Sequence, residues 1–227
     1  MILNEYDISA LIITLKLALS TTFILLVLGT PLSWWLSKTK FRLKFLIDAV
    51  IALPLVLPPT VLGFYLLIAF GPDGFIGILL DTLGIKPIAF TFTGLIAGSV
   101  IYSLPFVVQP LQDAFKSVGK QQIEVAATLG ASPIDRFFTV IIPLARHGFF
   151  TAAVLGFAHT IGEFGVVLMI GGNIPGETQV LSIAIYDHVE SLEYINAHWL
   201  SGILLCISFI MLISIYAVNR KFRIVQS

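Results

Sequence analysis

EVAATLGASPIDRFFTVIIP, residues 124–143, is a charged and punctuated stretch set between apolar runs. Its local chemistry reads as two short helices joined by a specified turn. Ile123 to Leu129 form the first, and Gly130 follows where a left-handed C-terminal cap needs a residue without a Cβ. Ser132 can cap the second helix, and Pro133 takes its first position, where no amide hydrogen is missed. Asp135 falls in the first turn, where the helix dipole favours a negative charge. Phe137, Phe138, Ile141 and Ile142 then carry the helix into apolar surroundings until Pro143 perturbs it.

Around this elbow the chain is far more apolar than a soluble domain. Of its 227 residues 57% are hydrophobic and 11% charged, against roughly 25% charged in an average soluble domain. With a mean hydropathy of +0.98 it reads as an integral membrane protein. A formal net charge of zero excludes a basic nucleic-acid footprint. The single Cys206 lies in an apolar run and reads as a small buried hydrophobe. Glu5 and Asp7 precede the first apolar run where a signal peptide would carry positive charge, so that run is expected to stay as a span.

Five runs are long enough to cross a bilayer: 17–36, 46–70, 90–111, 148–170 and 199–218. Helices in one all-α membrane domain are expected, because a barrel would show alternating segments of about ten residues. Lys38, Lys40, Arg42 and Lys44 follow the first run; Lys116, Lys120, Arg136 and Arg146 separate the third from the fourth; Arg220, Lys221 and Arg223 follow the fifth. Those segments are expected in the cytoplasm, which puts the N-terminus outside and the C-terminus inside. Trp34, Trp35, Trp199 and Tyr216 fall at run ends, where an aromatic belt would lie. Residues 178–192 are too short to cross and are expected to form a re-entrant or interfacial helix on the outer side, its ends covered by protein or a wet cavity.

The elbow also carries a pattern. Glu124, Ala126, Gly130 six residues after the glutamate, and Val140-Ile141-Ile142-Pro143 resemble the EAA motif of ABC importer permeases throughout its spacing. Val125, Val140 and Ile142 are conservative departures from it. The resemblance implies that 117–143 is a coupling segment that docks on a separate cytoplasmic ATPase. Its docking residues would be Glu124, Val125, Ala126, Ala127, Thr128, Leu129, Gly130, Ala131, Ser132, Asp135 and Arg136. Small residues allow close backbone approach there, and the charges orient the partner. The nearest approach to a phosphate-binding loop, Val118-Gly119-Lys120-Gln121, lacks the earlier glycine and the hydroxyl, so ATP and Mg2+ are expected on the partner. No catalytic residue, metal site or cofactor is expected in this chain.

LPLVLPP (53–59), IGEFG (161–165) and GGNIPGET (171–178) closely resemble the molybdate transporter permeases, with the sulfate permeases as nearest relatives. This resemblance spans the chain nearly end to end. It implies a homodimer with two ATPase subunits, an extracytoplasmic oxyanion-binding protein, and molybdate as cargo, with tungstate accepted and sulfate or thiosulfate as the alternative. A bacterial or archaeal inner membrane is the expected location.

Pathway or gate candidates follow from chemistry within the spans. Pro54, Pro58 and Pro59 remove amide donors, so the second span must bend or open, as a packing kink or beside a pathway. Glu163 is the only acid deep in the fourth run, and His159 lies four residues earlier on the same helical face. They read either as a hydrogen-bonded pair that positions the helix or as a gate. Apart from Lys16, which can snorkel outward, no cation lies within the runs, so cargo should be held weakly. Ser99, Ser103, Thr151 and Thr160 are possible transient donors, though each could bond its own helix instead. An ATP-independent channel or carrier, and a membrane anchor without flux, are the rival classes.

Overall fold

The computed structural model describes residues 4–226, with side chains to residue 218, and every regular element in it is helical. The cations expected inside at Arg220, Lys221 and Arg223 fall outside the residues described with side chains. Helices long and apolar enough to cross a membrane run over Glu5–Lys38, Pro59–Thr82, Phe92–Ser117, Pro133–Ile161 and Tyr194–Val218.

Helix α1 (Glu5–Lys38) starts twelve residues before the first apolar run, because a reciprocal cap fixes its end. Asp7 N donates to Asn4 Oδ1 at 2.7 Å, and Asn4 N donates to Asp7 Oδ2 at 3.0 Å. At about 1.5 Å per residue its 34 residues are about 51 Å long, well beyond a hydrocarbon core of about 30 Å.

The second run is not one helix. Residues 46–70 divide into α2 (Lys44–Ala52), a tight turn over Leu53–Leu55 and α3 (Pro59–Phe70), which continues past a turn at 71–74 into α4 (Phe75–Thr82). Pro58 is extended, with ψ 134°, because the ring of Pro59 disfavours a helical residue before it. The helical stretch long and apolar enough to cross is therefore Pro59–Thr82, and α2 stands apart from it.

The fourth run is also interrupted. Beyond the elbow a wide turn over Phe137–Ile141 leads into α8 (Ile142–Ile161), and α9 (Gly165–Gly171) follows only after a break at 162–164. In the wide turn Ile142 N reaches back to Phe137 O, five residues away, which accommodates the missing amide and bulky ring of Pro143. The helical stretch long and apolar enough to cross here is thus Pro133–Ile161, which begins in the elbow, and not the 148–170 expected.

Helix α5 (Phe92–Ser117) is the centre of the bundle. Leu25 of α1, Val107, Leu111 and Phe115 of α5, and Ala145 and Ala152 of α8 form the largest buried cluster. Close approach there depends on Gly148, where a Cβ would lie 2.2 Å from Ala114 Cβ. The short helix expected over 178–192 is α10 (Leu181–Glu190), with Leu181 and Ala184 packed on Ala10 of α1 and on Leu200 of α11 (Tyr194–Gln226). Cys206, expected to be buried, is exposed on α11. Trp34, expected in an aromatic belt, instead turns inward against Phe115 and Phe137 at 5.4 and 5.7 Å.

Candidate functional site

At the elbow, α6 (Lys120–Thr128) ends in the turn its residues demand. Gly130 has φ +88°, Gly130 N donates to Ala127 O, and Ala131 N donates to Ala126 O, which together satisfy the last carbonyls of the helix. Ser132 Oγ accepts from Asp135 N at 3.1 Å and starts α7 (Pro133–Arg136). Arg136 Nε folds back onto Ser132 O. Ala126, Ala131 and Arg136 are half-buried; the other expected docking residues are exposed. Leu129 is 82% exposed and Ile134 73%, with Val125 beside them also bare. Large apolar side chains are thus left bare among charges at the end of α6 and the start of α7.

That surface is tied to the spans by aromatic packing. Phe137, directly after α7, contacts Trp34 of α1 and Phe115 of α5, and Phe115 also meets Phe149 of α8 edge-on at 5.8 Å. The elbow is therefore packed against three spans through one cluster.

Deeper in the bundle the two helix breaks meet. A cavity of about 450 Å3 is lined by Pro59 and Thr60 from the start of α3, Tyr102 of α5, Ala158 and His159 of α8, the 162–164 break and Gly165 of α9. Interrupted helices facing one another across a cavity are the usual place for irregular backbone at membrane depth. Among the described residues, no lysine or arginine lines it.

Glu163 anchors one wall. Its residue is 3% exposed, Ser99 Oγ donates to Oε2 at 2.5 Å and Ser103 Oγ donates to Oε1 at 2.7 Å. Ser103 Oγ also lies 2.8 Å from His159 Nδ1 and 3.0 Å from Thr160 Oγ1. The sequence reading places His159 and Glu163 on one continuous helix; Glu163 instead lies in the break, 3.5 Å from His159, and Ser103 bridges the two. Phe106 stacks on the His159 ring at 3.8 Å, with Tyr102 beside it at 4.6 Å.

The hydroxyls considered as cargo donors are committed elsewhere. Ser99 and Ser103 serve Glu163, Thr160 Oγ1 donates to Gly156 O at 2.9 Å, and Thr151 Oγ1 donates to His147 O at 3.0 Å. Pro59, His159 and Glu163 line the cavity; Pro54 is buried in the turn before the break, and Pro58 caps α3. Sequence reasoning missed Thr60, Tyr102 and Ser182. Thr60 had a signal, since it follows the double proline that opens the helix. Ser182 had none, because its partner, Glu163 O at 2.5 Å, is a backbone atom nineteen residues away.

At the opposite end of α10, His188 lies between two carboxylates, with Nε2 2.7 Å from Asp7 and Nδ1 2.8 Å from Glu193. Burial opposes a charge on His188, but the hydrogen bonds to Asp7 and Glu193 outweigh it and raise its pKa above the usual 6.5. Hydrogen bonds from Asn196 and then His188 hold the Glu193 carboxylate below its ordinary value. A raised histidine pKa means that the stabilisation is complete below pH 6.5 and is lost as pH climbs through the raised value. Replacing His188 by alanine should therefore lower the thermal midpoint most at mildly acidic pH, through loss of about 1.5–3 kcal/mol from the bond to buried Asp7. Melting curves of both forms across pH check this. A deficit that stays constant from about pH 5.5 to about pH 9 would contradict it.

Comparison with known proteins agrees with this architecture. Residues 29–226 match the family model described as binding-protein-dependent transport system inner membrane component. The chain is 59% identical over 221 residues to the molybdenum transport system permease protein ModB of Azotobacter vinelandii, covering 97% of each chain. It is 33% identical to the probable sulfate transport system permease protein cysT of Chlorella vulgaris, over 96% of this chain and 82% of that one. Among solved structures, a bacterial alginate ABC transporter in complex with its alginate pentasaccharide-bound periplasmic protein superposes with a TM-score of 0.78 at 14% identity, over 96% of this chain and 80% of that chain. With its broken spans, its aromatic-anchored elbow and a family match over most of its length, the chain belongs to the inner membrane components of binding-protein-dependent transport systems.

Proposed function

We propose that this chain is the permease of an ATP-driven molybdate importer that also accepts tungstate. The observation that carries the cargo assignment is 59% identity, end to end, to a molybdenum permease, against 33% to a sulfate one. Two copies form the pathway, each elbow docks one ATPase subunit, and an outer oxyanion-binding protein delivers the cargo. The elbow, with the cations Lys38, Lys40, Arg42 and Lys44, lies inside, while the N-terminus and α10 lie outside.

The cavity chemistry suits transit rather than capture. A dianion entering between the breaks meets Thr60, Tyr102 and His159 but no fixed positive charge, so it is held briefly and released. Selectivity then rests with the binding protein. ATP draws the ATPase pair together, the elbows follow, and the Trp34–Phe115–Phe137–Phe149 cluster carries the movement to α1, α5 and α8. Hydrolysis resets the spans.

Reconstitution with the ATPase and binding protein tests this reading. Molybdate uptake should require ATP, and tungstate should compete with it. Flux that ignores ATP would identify a channel or carrier, and preferential uptake of sulfate would transfer the chain to the sulfate class.

A further inference from the structure

Helix α10 contacts functional elements at both ends. At its inner end Leu181 N donates to Thr14 Oγ1 of α1 at 2.7 Å, and Ser182 Oγ donates to Glu163 O in the break. One turn on, the Tyr186 ring packs on Phe164 of the same break, with centroids 5.2 Å apart. The break is thus gripped from two sides: α5 holds the Glu163 carboxylate, while α10 holds its backbone carbonyl and the next side chain.

The outer end of α10 is tied to the loop over 172–179. Asn173 Nδ2 donates to the Asp187 carboxylate at 3.0 and 3.2 Å, and Gln179 Nε2 donates to it at 2.8 Å. Pro175, Gly176 and Glu177 of that loop are exposed. Asp187 lies only five positions, about 7.5 Å of helix, from Ser182. A single short helix therefore spans the interval between an exposed outer loop and the helix break at the cavity.

We infer that α10 is a lever: docking of the cargo-loaded binding protein on the 172–179 loop moves α10, and Ser182 is the positioning residue that passes the movement to the break at Glu163. The inference rests on the importer reading, because it needs a binding protein outside and an ATPase inside. Without the partner, the Ser182 contact holds the break in its resting shape. With the partner docked, the contact shifts and the break is free to change together with the elbows.

The test measures ATP hydrolysis by the complete complex in lipid discs, with and without molybdate-loaded binding protein. Ser182→Ala should raise the unstimulated rate and reduce the stimulated-to-basal ratio about fivefold or more. Ser182→Thr, which keeps the hydroxyl, should restore the ratio. Tyr186→Leu, which removes the second grip on the break, should reduce the ratio independently of how well the alanine variant folds. A merely structural role would lower both rates together and preserve the ratio. A stimulated wild type whose ratio survives both Ser182→Ala and Tyr186→Leu overturns the lever alone. A wild-type complex that ignores its binding protein overturns the importer reading and the lever with it.

Discussion

Gly130→Pro should leave the chain inserted in the membrane while cutting ATP-driven molybdate uptake at least about tenfold, equivalent to a docking loss of about 1.4 kcal/mol. Gly130 has φ +88°, a conformation that proline, fixed near −65°, is unable to adopt. The same substitution removes the amide that Gly130 donates to Ala127 O, so the turn that aims α7 away from α6 is lost. Gly130→Ala keeps the amide and costs only about 1–2 kcal/mol of left-handed strain, so it should impair uptake less. Uptake and ATP hydrolysis measured side by side separate uncoupling from simple loss of protein. Proline at this position with full uptake would remove the elbow from the transport cycle.

Glu163→Leu should destabilise the bundle by about 1–3 kcal/mol, because the buried Ser99 hydroxyl loses its acceptor, whereas Ser103 keeps His159 and Thr160 within hydrogen-bonding reach. Glu163→Gln retains one acceptor oxygen and the shape of the side chain, so its loss should be clearly smaller. The order of thermal midpoints, wild type above glutamine above leucine, is the expected result. Adding Ser99→Ala to the leucine variant removes the orphaned hydroxyl and should recover part of the midpoint without recovering uptake. A leucine variant that melts with wild type would mean that the Ser99 contact contributes little.

Much of the architecture was legible because its determinants are local. The elbow's turn follows from Gly130, Ser132 and Pro133, each of which answers a demand of its own backbone position. The bilayer-length apolar runs and the short helix α10 follow from hydropathy and length alone. The helix boundaries were harder. Polar Asn4 and Asp7 start α1 through side-chain caps that a hydropathy window passes over. Pro54, Pro58 and Pro59 announced a disturbance, but whether they bend a helix or end one depends on the structure around them.

The cavity was partly legible. Glu163 and His159 were conspicuous as polar residues in an apolar run, yet a helical spacing of four implied a direct pair where the chain in fact breaks between them. Ser99, Ser103 and Thr160 were recognisable as hydroxyls at membrane depth, but their partners lie 64, 60 and 4 residues away, and only packing decides among such partners. Spacing along one helix says nothing about what a neighbouring helix presents. The same limit concealed Ser182 and the Asp7–His188 contact, which joins residues 181 positions apart.

The elbow is the proposed mechanical contact with a separate ATPase. In a background with Cys206 replaced, a cysteine at Leu129, 82% exposed at the tip of the elbow, can be crosslinked to the ATPase within the assembled transporter. The expected result is a crosslink formed from the cytoplasmic side that arrests ATP-driven molybdate uptake and is reversed on reduction. Labelling of that cysteine by a membrane-impermeant reagent from the outer side, or uptake that continues with the crosslink fully formed, would contradict it.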